Sequence, residues 1–256
     1  MGVLSQNGII FEIKPAIVKR KGGKFMNVSQ VSVPFNSPVR MPNGLQWYED
    51  ELYVMDQLTD DVFVLDIDGS VKRVITTETV NGSGITVGGG FIWTACNSRN
   101  GATARPQRPT DYHTSNVRKV DPVTGETIDY FPTPDGGGIH GIEYDEGNIW
   151  ITAFEPKALV LIDGTTYEVI KQFPCELNVL HGLARDGNGI WCSDRAEKEV
   201  VKFDIDSGEE IDRVVLPEDG PDPHGLSIRE GVLWYSDADF PEAEGMRGYP
   251  EIGFIK

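Results

Sequence analysis

Five times along the chain, a run of alternating apolar and polar positions meets a Gly, Asp or Glu turn and then an aliphatic–aromatic pair. The five phrases are PNGLQWYEDELYVMD, GSGITVGGGFIWTAC, IHGIEYDEGNIWITA, LHGLARDGNGIWCSD and PHGLSIREGVLWYSD, and the pairs are Leu52-Tyr53, Ile92-Trp93, Ile149-Trp150, Ile190-Trp191 and Leu233-Trp234. Period-two alternation broken by a tight turn is the grammar of a β-hairpin. Two further apolar runs follow most of the hairpins, as in VFVLDIDGSVKRVIT and VVKFDIDSGEEIDRVVLP. Amphipathic helical periodicity is almost absent, so each unit reads as four strands.

Four strands repeating every ~40 residues is the pattern of a β-propeller blade. The expected fold is all-β, a five-bladed β-propeller of four-stranded blades in a single domain over residues 1–256. The last phrase is followed only by EIGFIK, enough for a third strand. NVSQVSVPFNSP, ahead of the first phrase, is expected to supply the fourth, so that the last blade is closed by an N-terminal strand and two sheet edges disappear. Residues 1–25 are then an extra arm. Trp47, Trp93, Trp150, Trp191 and Trp234 recur with the repeat and are expected between blades.

A propeller of this kind predicts where chemistry can sit. The starts of the first strands, the ends of the second strands and the loops that follow share one face. At the first-strand starts stand Asn43, Ser83, His140, His181 and His224, so three of the chain's four histidines hold one repeat position. The first two blades manage with Asn and Ser, so the fold does not require His there. At the second-strand ends stand Asp56, Cys96, Ala153, Asp194 and Asp237. Long loops over 97–118 and 238–250 are expected to cover the same mouth, since long loops in a compact repeat usually serve a site.

Neutral imidazole ligates Zn, Fe, Mn or Cu and is also the base best matched to neutral pH. Two chemistries stay open. Asn43, His140, His181 and His224 could hold a divalent metal, with Zn, Fe, Mn or Mg as the candidates. Without a metal, His224, His181 and His140 could act as base and anion stabilisers, with Asp237 and Asp194 as orienting carboxylates. The first long loop carries Arg99, Arg105, Tyr112 and His113, and with Ser83 and Asp56 these are the candidate substrate contacts for an anionic or carbonyl-bearing small molecule. Cys96 reads as a small buried residue rather than a nucleophile.

Bulk composition narrows partners only slightly. A net charge of −17, from 23 basic and 40 acidic residues, argues against nucleic acid and anionic membrane as partners. Three cysteines without CxxC spacing and no apolar leader point to a soluble, cytoplasmic protein. No nucleotide- or flavin-binding pattern is present.

The phrase HGL…DGNGIWCSD…VVKFDIDSGEEIDRVVLP resembles the repeat of the streptogramin (virginiamycin B) lyase family over about residues 40–240. That resemblance implies elimination chemistry by a histidine base with Mg²⁺, in a seven-bladed propeller whose second strands end in Glu. MPNGLQWYEDELYVMD is also similar to gluconolactonase/regucalcin-like propellers, in which the PNG asparagine, here Asn43, binds a divalent metal. The expected function is a small-molecule lyase. The alternatives are a metal-dependent lactonase or other hydrolase, and a non-catalytic propeller that binds a ligand or protein.

Overall fold

The computed structural model describes residues 17–19, 25–99, 105–238 and 249–256. Its strands form five four-stranded antiparallel sheets, the blades of a β-propeller, and one small two-stranded sheet, Ile17–Lys19 against Phe25–Asn27. Blade 1 runs outward through Pro42–Tyr48, Glu51–Asp56, Asp61–Leu65 and Val71–Thr76. Blades 2, 3 and 4 open with Gly82–Gly88, Ile142–Asp145 and Leu180–Asp186. Blade 5 orders Leu226–Arg229, Val232–Asp237, Glu251–Ile255 and, outermost, Val31–Asn36 from the start of the chain. The expected N-terminal closure is therefore the one that forms.

Local chemistry explains why the strands start and stop where they do. The inner hairpins turn through left-handed pairs such as Glu146-Gly147 (φ 49° and 97°) and Glu230-Gly231 (φ 51° and 75°), which match the twist of the flanking strands. The outer hairpins of blades 2, 3 and 4 turn on an aspartate. Asp121, Asp163 and Asp204 each accept two nearby backbone N–H groups at 2.8–3.0 Å.

The core is five apolar layers, one between each pair of blades. Trp93 and Phe131 of blade 2 pack on Ile142, Ile151 and Val160 of blade 3, and Trp47 meets Trp234 edge to face at 5.1 Å between blades 1 and 5. All five tryptophans lie in these layers and are at most 8% exposed. Cys96, Cys175 and Cys192 are free, buried thiols.

The glycine of each repeat phrase is required by the axis. A Cβ on Gly84 would lie 2.3 Å from the carbonyl oxygen of His140, one on Gly141 2.1 Å from that of His181, and one on Gly182 2.4 Å from that of His224. Gly44 and Gly225 approach the next blade's backbone as closely, at 2.7 Å. Five innermost strands converge so tightly that only a residue without a side chain fits. These glycines line a narrow channel together with Ser83 and His140.

The two expected long loops lie only partly within the described residues. The third strand of blade 2 is Asn116–Val120, so the first long loop ends at 115, and the second gives way to strand at Glu251. Residues 100–104, 239–248, 1–16 and 20–24 lie outside the described residues. Among the described residues no helix is long and apolar enough to cross a membrane.

Candidate active site

In blades 1, 2 and 4 the residue before the axial glycine is pushed out of the ladder. Pro42 faces Asp56 and Gly44 faces Met55, leaving Asn43 as an extra residue, and Ser83 is extra in the same way between Gly82 and Gly84. In blade 4, His181 and Gly182 together fall between the pairs Leu180–Asp194 and Leu183–Cys192. A β-bulge re-aims its side chain, and bulges gather beside active sites. Here it places Asn43, Ser83 and His181, while His140 and His224 lie just ahead of the first strands of blades 3 and 5.

The mouth has two chemically different halves. In blades 1 and 2, Asn43 donates to Gln57, Gln57 Nε2 donates to Asn81 Oδ1 at 2.6 Å, and Asn97 Nδ2 donates to Ser83 Oγ at 2.8 Å. Ser83 in turn donates to the carbonyl of Ile139, whose blade-3 N–H is bound by Asn97 at 2.7 Å. This half is a neutral, largely self-satisfied amide network.

Blades 3, 4 and 5 supply the other half. The rings of His140 and His181 lie 4.2 Å apart at 31°, and those of His181 and His224 lie 4.7 Å apart at 73°. The edge of Phe154 packs on His140 at 5.2 Å. The sequence expectation of three neighbouring histidines describes this geometry. Burial first, then the nearby Arg195 guanidinium, lowers His140 to about 4 and His224 to about 3; burial and the adjoining imidazoles hold His181 well below the usual value. All three are neutral at physiological pH. Nδ1 of His140 and of His181 is buried without a hydrogen-bond partner, as is Oδ1 of Asn43.

His224 is held differently. Its Nδ1 lies 2.8 Å from the carbonyl of Asp222 and 3.2 Å from the N–H of Ala238. The shorter contact favours Nδ1–H donating to Asp222, which leaves the Nε2 lone pair free to take a proton. The Asp237 carboxylate stands 3.8 Å from Nδ1, beyond hydrogen-bond reach, and accepts the N–H of Asp222 at 3.0 Å.

The other second-strand aspartates do the same backbone work. Asp56 accepts the N–H of Met41 at 3.2 Å, and Asp194 accepts those of Asn178 and Val179 at 2.6 and 3.2 Å. Each ties the end of the second strand to the loop that enters the first strand. Asp237 and Asp194 therefore shape the mouth by holding its backbone.

The arginines of the first long loop turn away from the ring. Arg105, 8% exposed, pairs with Asp60 at 2.9 Å and with Asp111 at 2.7 Å, and Arg99 pairs with Asp111 at 3.1 Å. Tyr112 stacks under the Arg118 guanidinium at 3.9 Å, and His113 is exposed. In the described residues, this loop is strapped to blade 1.

Two sets of residues were missed from the sequence. One is the hydroxyl that precedes the last residue of the second strand: Thr152, Ser193 and Ser236 in the three histidine blades, against Met55 and Ala95 in the other two. Thr152 Oγ1 accepts the N–H groups of Gly141 and His140 at 2.9 and 3.3 Å, Ser236 Oγ accepts that of Gly225 at 3.1 Å, and Ser193 Oγ donates to the His224 carbonyl at 3.2 Å. Their pairing with histidine within the repeat was the available signal.

The other set is the residue one place beyond Asp56, Cys96, Ala153, Asp194 and Asp237: Gln57, Asn97, Phe154, Arg195 and Ala238. Gln57 binds Asn43, Asn97 binds Ser83, Phe154 packs on His140, and the Ala238 nitrogen lies 3.2 Å from Nδ1 of His224. Arg195 holds the equivalent place in blade 4, beside His181.

A divalent metal on Asn43, His140, His181 and His224 was one of the two chemistries the sequence left open. Among the described residues no group of three or more His, Cys, Asp or Glu is placed to hold an ion. His140 and His181 lie nearly face to face, whereas ligands of one ion splay so that their lone pairs converge.

No protein-family model and no curated protein matches the sequence. Solved structures do match. The crystal structure of Myxococcus xanthus glutaminyl cyclase covers 90% of this chain and 96% of its own, with a TM-score of 0.65 at 8% identity. A streptogramin B lyase structure covers 93% of this chain and 70% of its own, with a TM-score of 0.50 at 16% identity. The chain is a five-bladed β-propeller whose fold is similar to that of both enzymes.

Proposed function

We propose that this protein is a small-molecule lyase that works at the imidazole half of the mouth. The observation that carries the reading is the set of three adjoining imidazoles, His181 and His224 buried and His140 half-buried, at the repeat position that the other two blades fill with Asn or Ser. Neutral imidazole is the form a base must have. In the reaction, Nε2 of His224 removes a proton from a carbon next to a carbonyl. The electron pair forms a C=C bond, the C–O bond one carbon further breaks, and a carboxylate leaves. His224 then returns the proton to solvent, and no co-reactant is consumed. His140 and His181 shape the apolar, water-poor pocket in which negative charge develops.

Low basicity in the free protein fits this role if substrate binding raises it. Burial and positive charge both depress the imidazoles, and an anionic substrate offsets the second cause. The similarity to a streptogramin B lyase supports elimination as the first reaction to test. Purified protein is incubated with a streptogramin B and the product is weighed. Elimination opens the ring without a change of mass, hydrolysis adds one water, and a non-catalytic propeller leaves the compound intact. An isobaric product that disappears with His224→Asn supports the proposal. A hydrated product, or turnover that survives His224→Asn, contradicts it.

A further inference from the structure

Of the ten arginines among the described residues, eight are ion-paired: Arg73, Arg99, Arg105, Arg108, Arg118, Arg185, Arg213 and Arg229. That is what a chain of net charge −17 leads one to expect, since acidic partners are abundant. The two without an ion pair among the described residues are Arg40 and Arg195, and both stand at the rim of the mouth.

Their backbones are fixed by one motif. In blade 4, the Arg195 N–H donates to the Val179 carbonyl at 3.1 Å, while Asp194 binds the Val179 N–H. In blade 1, the Gln57 N–H donates to the Met41 carbonyl at 3.1 Å, while Asp56 binds the Met41 N–H. Arg40 adjoins Met41, and Arg195 takes the place of Gln57. Gln57 reaches its own ring residue, Asn43, and Arg195 holds the equivalent position in the blade of His181. Its charge is felt by His140, His181 and His224 together. Among the described residues Arg195 forms no ion pair with Asp56, Asp194 or Asp237, which accept backbone N–H groups.

We infer that the mouth takes a ligand bearing a carboxylate, anchored by the guanidinium of Arg195 with Arg40 as a second, outer cation. This rests on the proposed site and names the class of its substrate. A guanidinium fork matches a carboxylate with two parallel hydrogen bonds. Phosphate is disfavoured, because a double charge would face a strongly acidic protein with only two cations. The anchor also couples binding to chemistry. A carboxylate on Arg195 cancels the charge that depresses the imidazoles, so the base strengthens when substrate arrives.

The test uses the intact protein and the ring ¹⁵N signals of its histidines, titrated with succinate, acetate, succinamide and inorganic phosphate. Saturable shifts with succinate and acetate but not succinamide are expected, with affinity falling about tenfold in Arg195→Gln, less in Arg40→Gln, and not at all in Arg73→Gln. Arg195→Gln is also expected to raise the pKa of the three histidines in the absence of ligand, a readout that needs no binding. Equal binding of succinamide, tighter binding of phosphate, or unchanged affinity and histidine titration in Arg195→Gln would overturn the inference. The two proposals fail separately. Arg195-dependent carboxylate binding with no turnover of any substrate removes the lyase, and turnover indifferent to Arg195→Gln removes the anchor.

Discussion

The two halves of the mouth are built on the same backbone and do different things. Both stand over the same ring of glycines, with bulges in blades 1, 2 and 4, and both are closed by the residue one place beyond Asp56, Cys96, Ala153, Asp194 and Asp237. In the amide half, Asn43, Gln57, Asn81, Ser83 and Asn97 bond one another and stitch blade 1 to blade 2 and blade 2 to blade 3, with Asn43 Oδ1 left over. In the imidazole half, ring nitrogens of both His140 and His181 are left without partners. Buried polar groups are nearly always satisfied, so orphaned ones are the places to look for function. The amide half is a bonded network with one oxygen to spare, and the imidazole half leaves titratable ring nitrogens unsatisfied at a cost in stability.

The largest expected effect separates the halves by activity. With a substrate in hand, His224→Asn is expected to lower kcat by about 10²–10⁴, the usual contribution of a positioned acid–base group. Ser83→Ala is expected to keep kcat and lose about 1–2 kcal/mol in urea unfolding, because Asn97 and the Ile139 carbonyl lose a partner. The reverse outcome would exchange the roles of the halves.

Next comes the ring they share. Gly141→Ala places a Cβ 2.1 Å from a backbone oxygen that cannot move aside, and is expected to destabilise the protein by about 3 kcal/mol. Gly44→Ala is expected to do the same from the amide side, measured by the same denaturation. A tolerated alanine at either position would mean the axis is wider than described.

Acid should then undo the imidazole half alone. His140, His181 and His224 have lower pKa values folded than their ordinary 6.5, so the unfolded chain binds more protons below that value. Their stability is complete above about pH 6.5 and falls toward pH 4 by about 1.4 kcal/mol per unit for each histidine. Glu143, buried in the first strand of blade 3 where it accepts the N–H of Arg185, runs the other way. Burial pushes it up to about 8 from 4.5, so its contribution is complete below 4.5 and is lost as pH rises through 8. Urea midpoints against pH should peak near 6.5 from these four groups. The triple His→Asn variant should flatten the acid limb, and Glu143→Gln the alkaline one.

The smallest effect tests the support beneath the histidines. Thr152→Val leaves the N–H of Gly141 without its partner and is expected to cost about 1–2 kcal/mol. The equivalent residues in the amide half are Met55 and Ala95, where Ala95→Ser is expected to be nearly silent.

Much of the fold was legible in the chain, for physical reasons. Alternation and turn residues are local, so the hairpins, the blade count and the closure by Val31–Asn36 could all be read. The histidines were legible because they recur where the repeat tolerates Asn43 and Ser83. Partners distant in sequence were not. Arg105 looks like a free cation until Asp60, 45 residues earlier, is folded against it. Asp194 and Asp237 look like orienters until their carboxylates meet backbone N–H groups. Arg195 was hidden because its meaning comes only from equivalence with Gln57 and Asn97, which share a place on the rim but no residue type.

The most direct test of the central claim, that the imidazole half is a desolvated set of neutral bases, needs no substrate. The ring ¹⁵N chemical shifts of His140, His181 and His224 are followed from pH 8 to pH 4, with a short histidine-containing peptide as the reference. The account predicts that the peptide protonates near 6.5 while the three mouth rings stay neutral to about pH 5 or below. Three mouth histidines titrating together with the peptide would mean a solvated mouth, and the account would fall.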